Sequence, residues 1–561
     1  MELHKKEPSL GYDTQAIETN ERSRARGLVE LLTEARANIR KGANPQLLAE
    51  ESRLQAEIDA VEKLRFEIVN SNQIKDPIFQ DKADTLKAEI NGLLSRQKEL
   101  ETKIRQSSPK YASLKYPNPL TLAQIQQQLN QDTLLLQYSL GEERSFLWVV
   151  SPNSLDSYEL PKKQEIEKSA IKLFCLVSQN RSKPPSVTNK ENSCTPIKTS
   201  GVDQAATELS QLILAPVKDK LGTKRLVIVA DGALQYIPFA ALADLTPQPS
   251  TLPRKEEKDK LPVILGDNQR GGINVDQKNP VSADNFNYQP LFVNHEIVNL
   301  PSASAIAIQR QELGARKQAS KVLAILADPV YSATDERVTN PQNKQQESRD
   351  LELERSALKR SADIFLPQGW GRLRHTRTEA ETIFKLVPGS DRQKAFDFDA
   401  NYMWATSSAL NQFRILHFAT HGFVNDVNPE LSGIVLSLVD QQGKNIRGYL
   451  RLEDLFNLDY PANLIVLSAC ETGLGKEIQG EGLVGLTRGL MYAGAERLVV
   501  SLWQVNDEGT SVFMQEFYKQ MLQQGKSANQ ALRVTQLKMW HDEKWRNPNY
   551  WAAFTFLGEW R

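Results

Sequence analysis

Cysteine is scarce in this chain. Three cysteines in 561 residues give no disulfide framework and suit a reducing compartment. An excess of either charge is lacking too: 69 Lys and Arg balance 69 Asp and Glu. That excludes the basic surplus on which bulk nucleic-acid or anionic-membrane binding depends. No apolar run approaches the roughly 18 residues that span a bilayer, and the opening MELHKKEPSLGYD offers no hydrophobic segment for a signal peptide. The expectation is therefore a cytoplasmic protein, with neither membrane nor nucleic acid among its partners. Histidine is also rare. His295, His375 and His541 stand alone, without Cys, Asp or Glu partners at ligand spacing, so neither metal nor cofactor is expected. The glycines of Gly473-Leu474-Gly475-Lys476 and Gly480-Glu481-Gly482 lack the spacing of a phosphate-binding loop.

What is present is an ordinary globular composition, 40% apolar and 25% charged, in a chain long enough for two or three domains. Two short stretches stand out, Phe413 to Gly422 (FRILHFATHG) and Asn463 to Gly473 (NLIVLSACETG). Each is a run of strand-type residues ending in small residues around one reactive side chain, His421 in the first and Cys470 in the second. Both read as buried parallel strands. In an open α/β sheet the residues just past the carboxyl ends of neighbouring strands converge on one crevice, so His421 and Cys470 are expected to meet there although 49 positions separate them. A thiol with a free pKa of about 8.5 is mostly protonated at neutral pH, and an imidazole beside it yields the nucleophilic thiolate. The backbone N–H groups of Gly422 and Cys470 then form the expected oxyanion hole. His417 shares the strand face of His421 by period-two alternation, but His421 lies nearer the strand end and precedes a glycine, which leaves His417 a supporting or structural role. Cys175, among Ile171, Leu173 and Phe174, reads as core, and Cys194 as incidental.

The spacing of histidine and cysteine matches the caspase pattern in part, with the histidine roughly 50 residues upstream of a small-residue-flanked cysteine. ILHFATHG (415–422), LIVLSACETGLG (464–475), GEGLVGLTRGLMYAGAERLVVSLWQVND (480–507) and NPNYWAAFTFLGEW (547–560) together resemble the CHAT domain in order and spacing. That family is a caspase-like cysteine peptidase group related to separase, usually found behind tetratricopeptide repeats in bacteria. The resemblance is dense from about Arg372 to Trp560 and thinner from about Pro117 through Leu300. It implies an α/β caspase-like sandwich, with a pseudo-caspase half followed by a catalytic half. No 34-residue period is found, so the chain reads as a fragment or as a member without its repeats.

Four regions follow. Residues 1–110 read as a helical hairpin with a coiled-coil-like seam through Leu54, Ile58, Val61, Leu64 and Ile68, then Leu86, Ile90, Leu93, Leu100 and Ile104, broken at Asp76-Pro77. It either packs on the body or forms a partner-binding arm. Residues 111–330 are the non-catalytic half, in which Asp231-Gly232 ends a strand where a catalytic residue would stand; 331–371 are a flexible linker and 372–561 the catalytic half. Stretches at 179–203, 246–290 and 332–360 read as solvated insertions. A helix is expected from Gly482 to Ala493, a strand from Arg497 to Leu502 beside the Cys470 strand, and a helix behind the caps Asn506 and Asp507.

The expected function is a cysteine endopeptidase acting on protein substrates, with a regulatory partner at the N-terminal helices or a missing repeat region. The alternative is a catalytically silent scaffold or signalling adaptor. The resemblance to separase extends to Trp503-Gln504-Val505-Asn506-Asp507, whose acidic residue it associates with a basic residue before the cut; Asp507 otherwise serves as a helix cap. Trp503 and Ser468 complete the expected substrate-binding set, with Trp503 either lining a groove or lying in the core.

Overall fold

The computed structural model describes residues 1–36, 50, 53–54, 57–58, 61, 77–106, 120–179, 201–246, 288–313, 316, 318–339, 370–423, 432–455, 457–468, 475–478, 482–503 and 505–561, some of them by backbone alone. Cys470 and Cys194 lie outside these residues, as do most of the three polar insertions.

Sixteen strands are formed among the described residues: β1 Thr133–Ser139, β2 Ser145–Ser151, β3 Ser154–Leu160, β4 Arg225–Val229, β5 Ile297–Asn299, β6 Lys321–Pro329, β7 Arg392–Asp397, β8 Phe413–Ala419, β9 His421–Phe423, β10 Gly433–Val435, β11 Tyr449–Arg451, β12 Leu464–Leu467, β13 Gly475–Ile478, β14 Gly482–Gly485, β15 Arg497–Ser501 and β16 Phe554–Gly558. Eleven make one sheet in the order β3-β2-β1-β4-β5-β16-β15-β12-β8-β6-β7. The fold is thus mixed α/β around a large, mostly parallel sheet.

Among the described residues the only antiparallel contact inside the parallel region is β15 with β16, so the sheet consists of two parallel blocks running in opposite directions. One holds β1, β4, β5 and β16; the other holds β15, β12, β8, β6 and β7. The carboxyl ends of β4 and β8 therefore face opposite edges. The strand β6 falls within the span read as the non-catalytic half, yet it pairs on both sides with strands of the later half. Conversely β16, the last strand of the chain, joins the first block and closes the two halves into one sheet.

Strands of the second block read as continuous apolar runs because both their faces are covered. Ile415 and Ala419 of β8 and Val466 of β12 enter one core with Ala380, Ile383 and Phe513 from the helices Arg374–Lys385 and Asp507–Tyr518. Leu416, Phe418, Ile465 and Leu467 enter the opposite core with Leu486 and Leu490. In the N-terminal region a helix begins at Pro77, where the sequence suggested a break, and runs to Gln106. The seam positions Leu54, Ile58, Leu86, Ile90, Leu93 and Leu100 are buried; Leu64, Ile68 and Ile104 are outside the described side chains.

Two local expectations are corrected. Gly482–Gly485 is a strand paired with Gly475–Ile478, and the helix starts only at Leu486; two glycines within four residues weaken a helical turn but fit a hairpin edge. Pro548–Trp551 forms a short helix ahead of β16. Cys175 is buried in its helix as expected but is disulfide-bonded, to a partner outside the described residues. Pairing needs two Cα atoms about 5.5 Å apart, a proximity that sequence spacing alone does not show. Among the described residues no helix is long and apolar enough to cross a membrane.

Candidate functional site

β8 and β12 are hydrogen-bonded parallel neighbours, with Phe418 opposite Leu467. The pairing continues one step further through the Ser468 N–H donating to the Phe418 carbonyl at 3.1 Å. Beyond Ala419 the chain leaves the large sheet. Thr420 directs this exit by donating its hydroxyl to the Val435 carbonyl, and it shares a 2.8 Å hydrogen bond with the Tyr331 hydroxyl. His421 and Gly422 then enter β9, opposite Val435 and Ile434 of β10 in a small three-stranded sheet. His421 thus sits at the junction of the two sheets, at the carboxyl edge of β8.

The imidazole is clamped. Tyr331 and Trp370 lie against it with ring centroids 5.1 and 5.0 Å away, and His421 retains only 4% exposure. Its Nε2 is 2.7 Å from the Gly371 carbonyl oxygen. A carbonyl only accepts, so Nε2 carries the hydrogen and the neutral ring keeps its lone pair on Nδ1. Burial pushes the imidazole down to about 4, against the opposing pull of the Gly371 carbonyl. The ring is therefore neutral at pH 7.

Three of these contacts come from the ends of the stretch expected to be a flexible linker. Tyr331 follows β6, Trp370 and Gly371 precede the Arg374–Lys385 helix, and both ends are tied to Asp328 at the carboxyl end of β6. Arg372 donates to both Asp328 carboxylate oxygens, Nε at 2.8 Å and Nη2 at 2.7 Å. Arg337 reaches the same carboxylate at 3.1 Å and also pairs with Asp335 and Asp397. Asp328 has φ of 51°, in the left-handed region that an aspartate tolerates better than most residues. Neither Tyr331 nor Trp370 was found by sequence reasoning. Their signal, an aromatic at each end of a polar insertion, is too weak to single out.

His417 serves another purpose. Its Nε2 lies 2.7 Å from Glu379 Oε1 and its Nδ1 3.0 Å from the Tyr518 hydroxyl. Ser468 donates its hydroxyl to Glu379 Oε1 at 2.9 Å. All four side chains are buried, and burial raises the Glu379 carboxyl despite the hydrogen bond with His417 that lowers it. This network ties β8, the end of β12 and the two covering helices together, the structural role expected of His417. The hydroxyl of Ser468, expected among the substrate-binding residues, is engaged by Glu379. Trp503 takes the core placement, one of the two open to it: it is fully buried, with its indole N–H on the Asn549 carbonyl at 3.1 Å and its ring edge-on to Phe174. An aromatic just past a strand can turn to either side, and here the core takes it.

Asp507 does not cap its own helix. Asn506 does, accepting from the Gly509 N–H at 3.0 Å. The Asp507 carboxylate instead accepts from the His375 backbone N–H at 2.9 Å, at the start of the Arg374–Lys385 helix, whose own N-cap residue Leu373 makes no side-chain cap. Burial raises the Asp507 carboxyl, opposed by that N–H, and the Asp328 charge adds to the rise. In the first block Asp231 accepts from the Leu140 N–H at 2.7 Å and pairs with Arg24 at 3.1 Å, an arrangement with structural partners on both oxygens. Among the described residues no group of three or more His, Cys, Asp or Glu is placed to hold a metal ion.

A continuous α/β sheet with a histidine poised at a strand end, beside a strand leading to a cysteine, agrees with the family comparison. The family model described as the CHAT domain matches residues 274–559, and the chain belongs to this family. Among curated proteins it is similar to tetratricopeptide repeat protein 28 of Mus musculus, 33% identical across 27% of this chain and 7% of that protein. The Homo sapiens protein of the same name is 30% identical across 19% of this chain and 4% of its own length. The match thus spans less than a tenth of either relative. Among solved structures, separase from the Saccharomyces cerevisiae separase–securin complex aligns over 92% of this chain and 38% of its own, at 10% identity and a TM-score of 0.41. The Arg-specific cysteine proteinase gingipain R aligns over 69% of this chain and 74% of its own, at 10% identity and a TM-score of 0.30.

Proposed function

We propose that the chain is a cysteine endopeptidase. Cys470 attacks the peptide carbonyl, and His421 takes the thiol proton through Nδ1 and later returns it to the leaving amine. The observation that carries this reading is the register of β8 and β12. Leu467 stands opposite Phe418, and three residues further along each chain come Cys470 and His421. Holding Nε2–H on the Gly371 carbonyl leaves one tautomer, with Nδ1 free to accept. A buried neutral base is a weak one alone, but a thiolate forming beside it supplies the counter-charge that burial withholds and raises its pKa. Gly422 and Cys470 provide N–H groups for the oxyanion in this reading.

Asp507 gives the proposed preference for a basic residue before the cut. β15 adjoins β12 in parallel, so the residues following it border the same crevice. The Asp507 carboxylate is half-buried, and burial raises its pKa. An arginine or lysine entering there would neutralise it. A regulatory protein partner at the N-terminal helices belongs to the same reading, the two mammalian relatives being repeat proteins by name.

One observation favours the second reading, a catalytically silent scaffold: His421 lies beneath Trp370 and Tyr331 with little exposure. Hydrolysis of a peptide library by the purified chain separates the two. Cleavage after Arg or Lys that disappears in Cys470→Ala supports the peptidase; no cleavage under any condition, with Cys470 inert to electrophiles, supports the scaffold.

A further inference from the structure

The Gly371 carbonyl fixes the His421 tautomer, yet little at Gly371 itself fixes that carbonyl. The residue is exposed, and a Cβ built on it would meet nothing within 4 Å. Its placement comes from its neighbours. On one side Trp370 packs on the imidazole and donates its indole N–H to the Tyr449 hydroxyl at 3.1 Å. On the other, Arg372 grips the fully buried carboxylate of Asp328 through two parallel hydrogen bonds of 2.8 and 2.7 Å. Bidentate guanidinium–carboxylate pairs fix direction as well as distance, which a single ion pair does not. Asp328 is itself fixed: its N–H donates to the Thr376 hydroxyl at 3.2 Å, and Arg337 holds both its carboxylate, at 3.1 Å, and its carbonyl, at 2.8 Å. Arg337 and Arg372 come from opposite ends of the stretch between β6 and the Arg374–Lys385 helix. One carboxylate therefore gathers both ends of that stretch beside the histidine.

We propose that Arg372 and Asp328 are positioning residues for His421, a latch that places the Gly371 carbonyl under Nε2 and so presents Nδ1 to the crevice. This inference rests on the reading of His421 as the general base for its consequence in catalysis, but its structural claim stands apart from that reading. Arg372 touches neither the imidazole nor the reacting atoms; it acts through the backbone of the preceding residue. With the latch open, the ring is free to exchange tautomers and to meet water.

The test uses the full chain with 15N-labelled histidine, and the His421 resonances are assigned by their loss in His421→Gln. In the unsubstituted chain the His421 ring is expected to show one tautomer, protonated on Nε2, and to titrate well below 6.5, near the value of about 4 that burial favours. Arg372→Ala is expected to give a mixture of tautomers with titration moved toward 6.5, and to lower the rate of Cys470 alkylation by iodoacetamide at pH 7 at least tenfold. Arg372→Lys keeps the charge without the fork and should fall between the two. It also carries the comparison should the alanine variant fail to fold. Arg374→Ala removes a neighbouring exposed guanidinium, 70% accessible and paired only loosely with Glu336 at 3.5 Å, and should match the unsubstituted chain. A folded Arg372→Ala or Arg372→Lys chain with an unchanged ring spectrum overturns the latch. If Cys470 in the unsubstituted chain reacts no faster than a thiol in unfolded protein, the peptidase reading fails, and the ring spectrum still decides the latch.

Discussion

His421 Nε2 and the Gly371 carbonyl oxygen are 2.7 Å apart, and this contact determines which imidazole nitrogen is available for chemistry. Its consequences reach from the stability of the chain to its reactivity.

Burial lowers the His421 pKa from 6.5 to about 4, so the folded chain resists a proton that the unfolded chain accepts. The stability that follows is fully present above pH 6.5 and is lost as pH falls toward 4, by at most about 3 kcal/mol. Glu379, whose carboxyl burial raises, contributes in the opposite sense, so the His421 share is read as a difference. Urea unfolding of the unsubstituted chain and of His421→Gln, at pH 7 and at pH 4.5, should show the two converging at the lower pH. An unchanged gap would mean that the ring is not held neutral.

If Cys470 is the nucleophile and His421 the base, as proposed, Cys470→Ala and His421→Ala should each abolish peptide hydrolysis and still fold, because the two groups would act as one unit. His417→Ala should act differently. It deprives the buried Glu379 of a hydrogen-bond partner 2.7 Å away, and leaving such a group short of a partner costs roughly 1–3 kcal/mol. Calorimetry should therefore report a marked drop in melting temperature for His417→Ala. An unchanged melting temperature in His417→Ala would contradict its structural role.

Much of this arrangement was legible in the sequence. β8 and β12 stood out because strands buried on both faces are written as unbroken apolar runs. The placement of β15 beside β12 followed from the same grammar. Arg337, Arg372 and Asp328 were not legible: their pairing joins a residue inside a polar insertion to residues on either side of it, and composition there suggests only solvent. Glu379 was hidden for a related reason, since a glutamate in TRTEAETIFK resembles any exposed helix residue until β8 places His417 against it. Ser468 and Trp503 were correctly seen as close to the strand ends, but sequence does not say which way a side chain turns once the strand stops.

Asp507→Ala should lose about 1 kcal/mol of stability, the usual cost of removing a cap, because the His375 N–H loses its acceptor. It should also lose the preference for Arg or Lys before the cut while Cys470 still reacts with iodoacetamide. A cleavage profile rich in apolar or acidic residues at that position would remove the specificity role and leave only the cap.

The disulfide at Cys175 sets a condition on the chemistry, for only two other cysteines exist. The proposed mechanism requires Cys470 as a thiol, so Cys194 is the expected partner. Alkylation of the denatured, unreduced chain should modify Cys470 alone. Modification of Cys194 alone would mean that the nucleophile is held oxidised and that activity awaits a reductant.

The most direct measurement of the dyad is intact-protein and peptide mass spectrometry after exposure of the reduced chain to a peptidyl electrophile ending in arginine. The expected result is a single adduct on Cys470, strongly diminished in His421→Ala. An adduct elsewhere, or labelling of Cys470 at the same rate without His421, would contradict the pairing of these two residues at the ends of β12 and β8.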